Sequence, residues 1–207
     1  MNEIAPAAKP YHHGDLRNAL LTEAERLLEA EGVAALTLRA VARGVGVTHA
    51  APANHFGDLT GLLSELAADG HRRMGSELAA AVAAAGTDPV QRSRAMGGAY
   101  VRFAKAHSGL FTLMFRSERL DFQRPALQDA IAKSRQALRL ALAGRPGQES
   151  VSPEIATAQA IAMWSLVHGY AVLMLEGRLR GMLAVLPEAP NPEDFFQHVL
   201  EAVKLAK

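Results

Sequence analysis

Cysteine is absent from the 207 residues, which excludes disulfides and thiolate metal sites and fits a protein of the reducing cytoplasm. An excess of either charge is missing as well. With 22 Lys and Arg against 21 Asp and Glu the formal net charge is +1, so bulk charge does not mark the chain as a polyanion binder. Residues 1–75 even run the other way, with seven basic and nine acidic side chains, and the acids gather at Glu23, Glu25, Glu29 and Glu31. The N-terminus, MNEIAPAAKPYHHGD, has no apolar run of the kind a secretory signal needs, and residues 1–11 read as a disordered arm. No segment alternates apolar and polar residues with period two, so the chain is expected to be all-α. The eight histidines form no HExxH pair and no close cluster with acids, and no Ser-His-acid or paired-carboxylate spacing is present. No cofactor, metal site or catalytic group is therefore expected, and a histidine-based metal enzyme is the weakest of the rival readings.

The chain does carry helical periodicity with legible punctuation. A first helix is predicted over about 15–31, where Leu16, Ala19, Leu20, Ala24, Leu27 and Leu28 form one apolar stripe and Gly32 a stop. The stretch LTLRAVARGVGVTHAAPANHF, Leu36 to Phe56, reads as two short helices about a glycine turn. Thr37 can cap the first, with Leu38, Val41, Ala42 and Val45 on one face. In the second, Pro52 lacks an N–H and is harmless only in the first turn, so His49 is the expected cap of a helix from about Ala50 to His55. This is the layout of a helix-turn-helix, whose second helix enters the major groove of DNA. Small Ala50, Ala51 and Ala53 permit close backbone approach, leaving Thr48, His49 and Asn54 as polar groups near bases or phosphates. Arg39 and Arg43 are the only charges between Val33 and Asp58.

A long helix from about Thr60 to Ala85 leaves this head, which suggests a division into residues 1–57, arm and DNA-binding head, and 58–207, a helical ligand-binding and dimerisation body. Asp88-Pro89, Ser152-Pro153 and Asn191-Pro192 each pair a cap with a first-turn proline, and further helices are expected over 108–115 and 125–143. Tyr100, Phe103, Phe111, Met114, Trp164 and His168 are the candidates to line an apolar cavity, with Ala104 and Gly169 facing it. Residues 155–175 carry no charge and meet the length needed to cross a bilayer. Thr157, Gln159, Ser165 and His168 interrupt them, so a buried helix or a dimer seam is expected instead of a membrane partner. Phe195, Phe196, Val199, Leu200 and Val203 of the last helix supply the rest of that seam.

YHHGDLR at Tyr11 to Arg17, TLRAVA at Thr37 to Ala42 and GVTHAAPANHF at Gly46 to Phe56 resemble the DNA-binding head of the tetracycline-repressor (TetR) family. Trp164, His168 and Gly169 in WSLVHGYAVLMLEGRL resemble a branch whose ligand domain carries a Trp-His-Gly signature. The resemblance implies a homodimeric, ligand-responsive transcriptional regulator. It would act as a repressor released from a double-stranded DNA operator by a small apolar effector. It also implies DNA contacts by Thr37, Thr48, His49, Ala50, Asn54 and His55, and Arg39 joins them as a DNA-binding candidate for its positive charge. The chain departs from the family where a tyrosine is usual (Ala53), where Arg or Lys is usual (Asn54), and where a lysine opens the next helix (Leu59 or Thr60). Each departure removes a phosphate contact, which weakens binding and flattens its salt dependence. A helical small-molecule-binding protein that has lost operator binding is the alternative.

Overall fold

The computed structural model describes residues 13–142 and 152–203, and among these every regular element is helical. The N-terminal arm and the loop at 144–147 lie outside the described residues. Helices α1 (His13–Glu31), α2 (Leu38–Val45) and α3 (Ala51–Phe56) form the head. They are followed by α4 (Leu59–Ala84), α5 (Pro89–Ala106), α6 (Ser108–Met114), α7 (Pro125–Leu142), α8 (Pro153–Leu175), α9 (Leu179–Leu183) and α10 (Pro192–Ala202).

Local chemistry sets most of these starts. The Thr37 hydroxyl accepts from Ala40 N at 3.0 Å, Asp58 from Gly61 N at 2.7 Å, Asp88 from Val90 N at 2.8 Å and Asn191 from Glu193 N at 3.0 Å. Each satisfies a backbone donor that the helix itself leaves without a partner. Proline occupies the first position of α5, α8 and α10, where no N–H is needed. Helix α3 differs from expectation. Ala50 is already right-handed helical (φ −80°, ψ −22°) and no side chain caps the helix, so His49 is not the cap. The chain instead winds in through a tight turn, Ala51 N donating to Thr48 O at 3.0 Å, which continues directly into the helix.

Helix α4 runs through the molecule, packed chiefly against α7 and α5 and also against α1, α3 and α6. The core includes Leu20, Phe56, Leu62, Phe103, Phe111, Leu127 and Phe196, all buried. The last helix divides its apolar residues in a way its sequence does not show. Phe196 and Leu200 are buried by the chain's own α5, Phe196 resting on Gly97, where a Cβ would lie 2.9 Å from its ring. Phe195 and Val199 stay partly exposed and Val203 is exposed, so only these three remain from that helix for an outer seam. Helix α8 is long and apolar enough to cross a bilayer by length and composition. It packs here against α5, α7, α9 and α10, yet leaves Ile155, Ile161, Trp164 and Leu173 exposed.

The head is joined to the body through the acids of α1. Glu25 receives two bonds from Arg73 Nη1, at 2.8 and 2.7 Å, while Arg73 Nη2 lies 3.1 Å from His107 Nδ1. Glu29 accepts from Gly109 N at 2.9 Å and from Leu110 N at 2.8 Å, serving as a capping carboxylate for α6 from 80 residues away. Arg17 pairs with Glu65 of α4. Because a carboxylate on free N-terminal amides satisfies them and complements the helix dipole, Glu29→Ala is expected to lower unfolding free energy by about 1 kcal/mol. Urea titration reads this as a lower midpoint with an unchanged slope, and Glu29→Gln, which keeps one acceptor, loses less.

Candidate DNA interface and ligand cavity

The inner face of α3 is set by Pro52 and Phe56, both buried, with the Arg17 guanidinium 5.6 Å above the Phe56 ring. Its outer edge carries Ala50 and Asn54, one turn apart, and the turn before it carries Thr48 and His49; all four are exposed. His55 turns partly inward, its ring 6.1 Å from that of Phe56. Thr37 and Arg39 are exposed at the other helix, at the start of α2. The Thr37 oxygen is engaged in capping, which leaves its O–H free to donate. Between the helices, Gly46 sits in the left-handed region (φ 76°) and Val47 N donates back to Ala42 O at 3.0 Å, closing α2 and turning the chain toward α3.

Away from the head, α4, α5, α6, α7 and α8 line a partly open cavity of about 510 Å³. Of the residues expected to line it, Tyr100, Met114 and Trp164 do so. Phe103 and Phe111 are buried in the core and do not line it, and His168 stands behind Tyr100, its Nδ1 2.9 Å from the Tyr100 hydroxyl. Ala104 is fully buried away from the cavity, and a Cβ at Gly169 would meet nothing within 4 Å, so neither position fills it. Six of the other lining residues come from two further helices. They are His71, Met74 and Leu78 of α4, and Ile131, Ser134 and Leu138 of α7. Both triplets are spaced i, i+3, i+7, a stripe visible in the sequence but not distinguishable there from ordinary core.

His71 and Tyr100, the buried ionisable groups of the cavity, are held neutral. Burial pushes His71 down to about 4, and the positive charge of Arg135 pushes in the same direction, against a hydrogen bond to the Met114 backbone. Ser134 Oγ lies 3.4 Å from His71 Nδ1 and donates to Ile131 O at 3.0 Å. Burial raises the Tyr100 hydroxyl above its ordinary range and lowers His168 below its own. Arg135 is the one charged side chain among the described residues of the lining, and it is exposed. Among the described residues no three His, Asp or Glu side chains gather in a way that could hold a metal ion.

Residues 20–66 match the family model described as bacterial regulatory proteins, tetR family, and residues 93–203 match that of the tetracyclin repressor-like C-terminal domain. A solved structure of a protein of unknown function from Rhodococcus sp. RHA1 aligns at TM-score 0.73 and 34% identity, covering 93% of this chain and 98% of that one. The TetR family transcriptional regulator PfmR from Thermus thermophilus aligns at TM-score 0.60 and 19% identity, over 90% of this chain and 94% of its own. NalD, the secondary repressor of the MexAB-OprM multidrug efflux pump in Pseudomonas aeruginosa, aligns at 0.61 and 21%, over 93% and 96%. The last two share the fold. No curated protein matches the chain.

The buried, neutral His71 makes a pH dependence. Its proton is resisted in the folded state and accepted freely in the unfolded one, so its stabilising contribution is complete above about pH 6.5 and drains away as pH falls toward 4. Between pH 7 and 4.5 this amounts to a loss of about 2 kcal/mol. Urea unfolding at the two pH values is expected to show a correspondingly smaller loss for His71→Asn than for the wild type, whatever the variant's stability at pH 7.

Proposed function

Because the chain belongs to the tetR family of bacterial regulatory proteins, we propose that it is a homodimeric regulator of transcription whose hold on its DNA operator ends when a small apolar molecule fills the cavity. Regulators of this family bind DNA, dimerise and respond to small molecules, and are generally not enzymes. A regulator that works on bacterial DNA works in the cytoplasm.

The observation that carries this reading is the course of α4. Its cap, Asp58, comes two residues after the end of α3, and its middle supplies His71, Met74 and Leu78 to the cavity wall. A ligand that favours one position of this helix therefore favours one placement of the recognition helix, which is the condition for release. We divide the chain at the start of α4, with arm and head over 1–57 and body over 58–207. On the head, Thr48, His49 and Asn54 would meet bases or phosphates, with Ala50 letting the backbone come close and Thr37, Arg39 and His55 flanking. An asparagine in the major groove suits an adenine edge. In the body, Tyr100, Met114 and Trp164 would contact the effector. Since, among the described residues, the lining offers a lone cation at its edge and no carboxylate, a neutral or acidic effector is favoured over an amine, which would lose its hydration beside a like charge.

The dimer seam follows from the outer face of α8. Ala158, Ala162, Ser165, Gly169 and Val172 recur at alternating steps of four and three residues, the period of two helices packed side by side, and the first three are exposed. Val199 and Val203 of α10 extend the face. A two-fold pairing there would set two heads about 34–36 Å apart, one DNA turn.

Selection of genomic DNA fragments at low salt, followed by sequencing, tests the function. One palindromic site with half-sites a helical turn apart is expected. Recovery of random fragments alone, or of none, would instead support a helical small-molecule-binding protein that has lost its operator, the reading favoured by Ala53, Asn54 and Leu59. Restoring the family pattern with Ala53→Tyr and Asn54→Arg is expected to tighten binding to any duplex and to steepen the salt slope by about one. For the seam, sedimentation at micromolar concentration is expected to find a dimer that Gly169→Arg converts to monomer. A variant that still sediments as a dimer would place the seam elsewhere.

A further inference from the structure

We infer that Arg124 is a positioning residue for the recognition helix, and that the turn carrying it, residues 120–124, links the cavity to that helix without requiring α4 to move as a body. Helix α3 has six residues, too few to hold its own shape, and no side chain caps its start. At its end Gly57 takes a positive φ of 83° and donates to Ala53 O at 2.8 Å, which leaves the last carbonyls of the helix in need of donors. Arg124 Nη2 donates to Phe56 O at 2.9 Å, a contact spanning 68 residues of sequence. A guanidinium on a terminal carbonyl satisfies the acceptor and sets a positive charge against the negative end of the helix.

The space for this contact is made by a glycine. A Cβ on Gly61, in the first turn of α4, would lie 2.0 Å from Phe56 O and 2.3 Å from Arg124 Nη2. The rest of the turn is tied down. Leu120 is buried, Asp121 N donates to Ser64 Oγ at 2.9 Å, and the Ser64 hydroxyl donates in turn to Thr60 O at 2.7 Å. Asp121 Oδ2 lies 3.7 Å from Arg124 Nε, a buried atom that makes no hydrogen bond. Arg124 is thus committed to one acceptor, with little to replace it.

Between those two anchors, Phe122 lines the cavity. A molecule that displaces the Phe122 ring strains the backbone two residues from the guanidinium, and a shift of about 1 Å at Arg124 takes a 2.9 Å bond beyond hydrogen-bonding range. Occupancy would then loosen the end of α3 itself, in addition to moving the head as a body. This second half rests on the cavity being the effector site; the positioning role of Arg124 does not.

Hydrogen exchange of the full-length protein, read by mass spectrometry over residues 50–58, tests both halves. The probe is n-decanol, whose entry is followed by the fluorescence of Trp164, the chain's single tryptophan and part of the cavity wall. Arg124→Gln is expected to speed exchange in this segment at least several-fold while leaving α8 unchanged. Arg124→Lys, which keeps a cationic donor, should fall between the two, and Gly61→Ala, whose methyl group would displace the guanidinium, should reproduce the glutamine variant with Arg124 itself unsubstituted. Saturating decanol should speed the same segment in the wild type and add nothing in Arg124→Gln. Unaltered exchange in both Arg124→Gln and Gly61→Ala would overturn the positioning role. Decanol that changes Trp164 fluorescence but leaves the segment alone, or acts on Arg124→Gln as fully as on the wild type, would overturn the link. If Trp164 fails to respond, the effector cavity and the link both fall, and the positioning role is still decided by the variants without decanol.

Discussion

The carboxylates of α1 hold the head to the body, and the rest of the arrangement depends on that. Glu29 closes the amide end of α6, and Glu25 grips Arg73 of α4 beside His107. Were α1 to swing free, α3 would keep its packing on α4 and the bond from Arg124 to Phe56 O, and α2 would be held only through α3. The same contacts resolve a difficulty in the composition. A DNA-binding head with more acids than bases looks unsuited to a polyanion, but three of the four acids of α1 that stand out in its sequence are engaged within the protein. Glu23 pairs with Arg26, Glu25 with Arg73, and Glu29 with backbone N–H groups. Arg39 and Arg43 stay exposed on α2, so the local field near the recognition helix is set by them and not by the net count.

Helix α4 joins the head to the cavity wall, and under the proposed function this is what makes an effector-responsive regulator from a bundle of helices. Its N-terminal end, capped by Asp58, continues from the recognition helix, while His71, Met74 and Leu78 face a cavity of about 510 Å³. The cavity is mostly apolar, with His71 and Tyr100 kept neutral by burial and Arg135 exposed at its edge, which suits a ligand held by shape and apolar area, with few oriented polar contacts.

The helix starts and the helix-turn-helix were legible because they are local. A Thr or Asp before a periodic run, or a proline after a cap, acts within one turn of itself, and Thr37, Asp58, Asp88, Ser152 and Asn191 all do so here. Where the local signal was ambiguous, the reading slipped. His49 looked like a cap because Pro52 needed one nearby, but the chain enters α3 already helical at Ala50. The small helix α9 and the turn at Val33–Ala35 carry no cap of their own, and neither was anticipated.

By itself, then, the sequence determined the all-α class, the order of the main helices and the family, since periodicity, caps and motif spacing are properties of neighbouring residues. Which apolar side chains face a cavity was decided only by tertiary structure. Phe103, Phe111, Phe115 and Trp164 are alike in composition, yet two lie in the core and two on the cavity wall, because that depends on the rotation of each helix against partners tens of residues away. The same holds for Phe196, buried on Gly97, and for Gly169, which faces outward beside a histidine that faces in. The bond from Arg124 to the end of α3 belongs to this second class as well, since no spacing within either segment predicts that a turn before α7 will meet the carbonyl of Phe56.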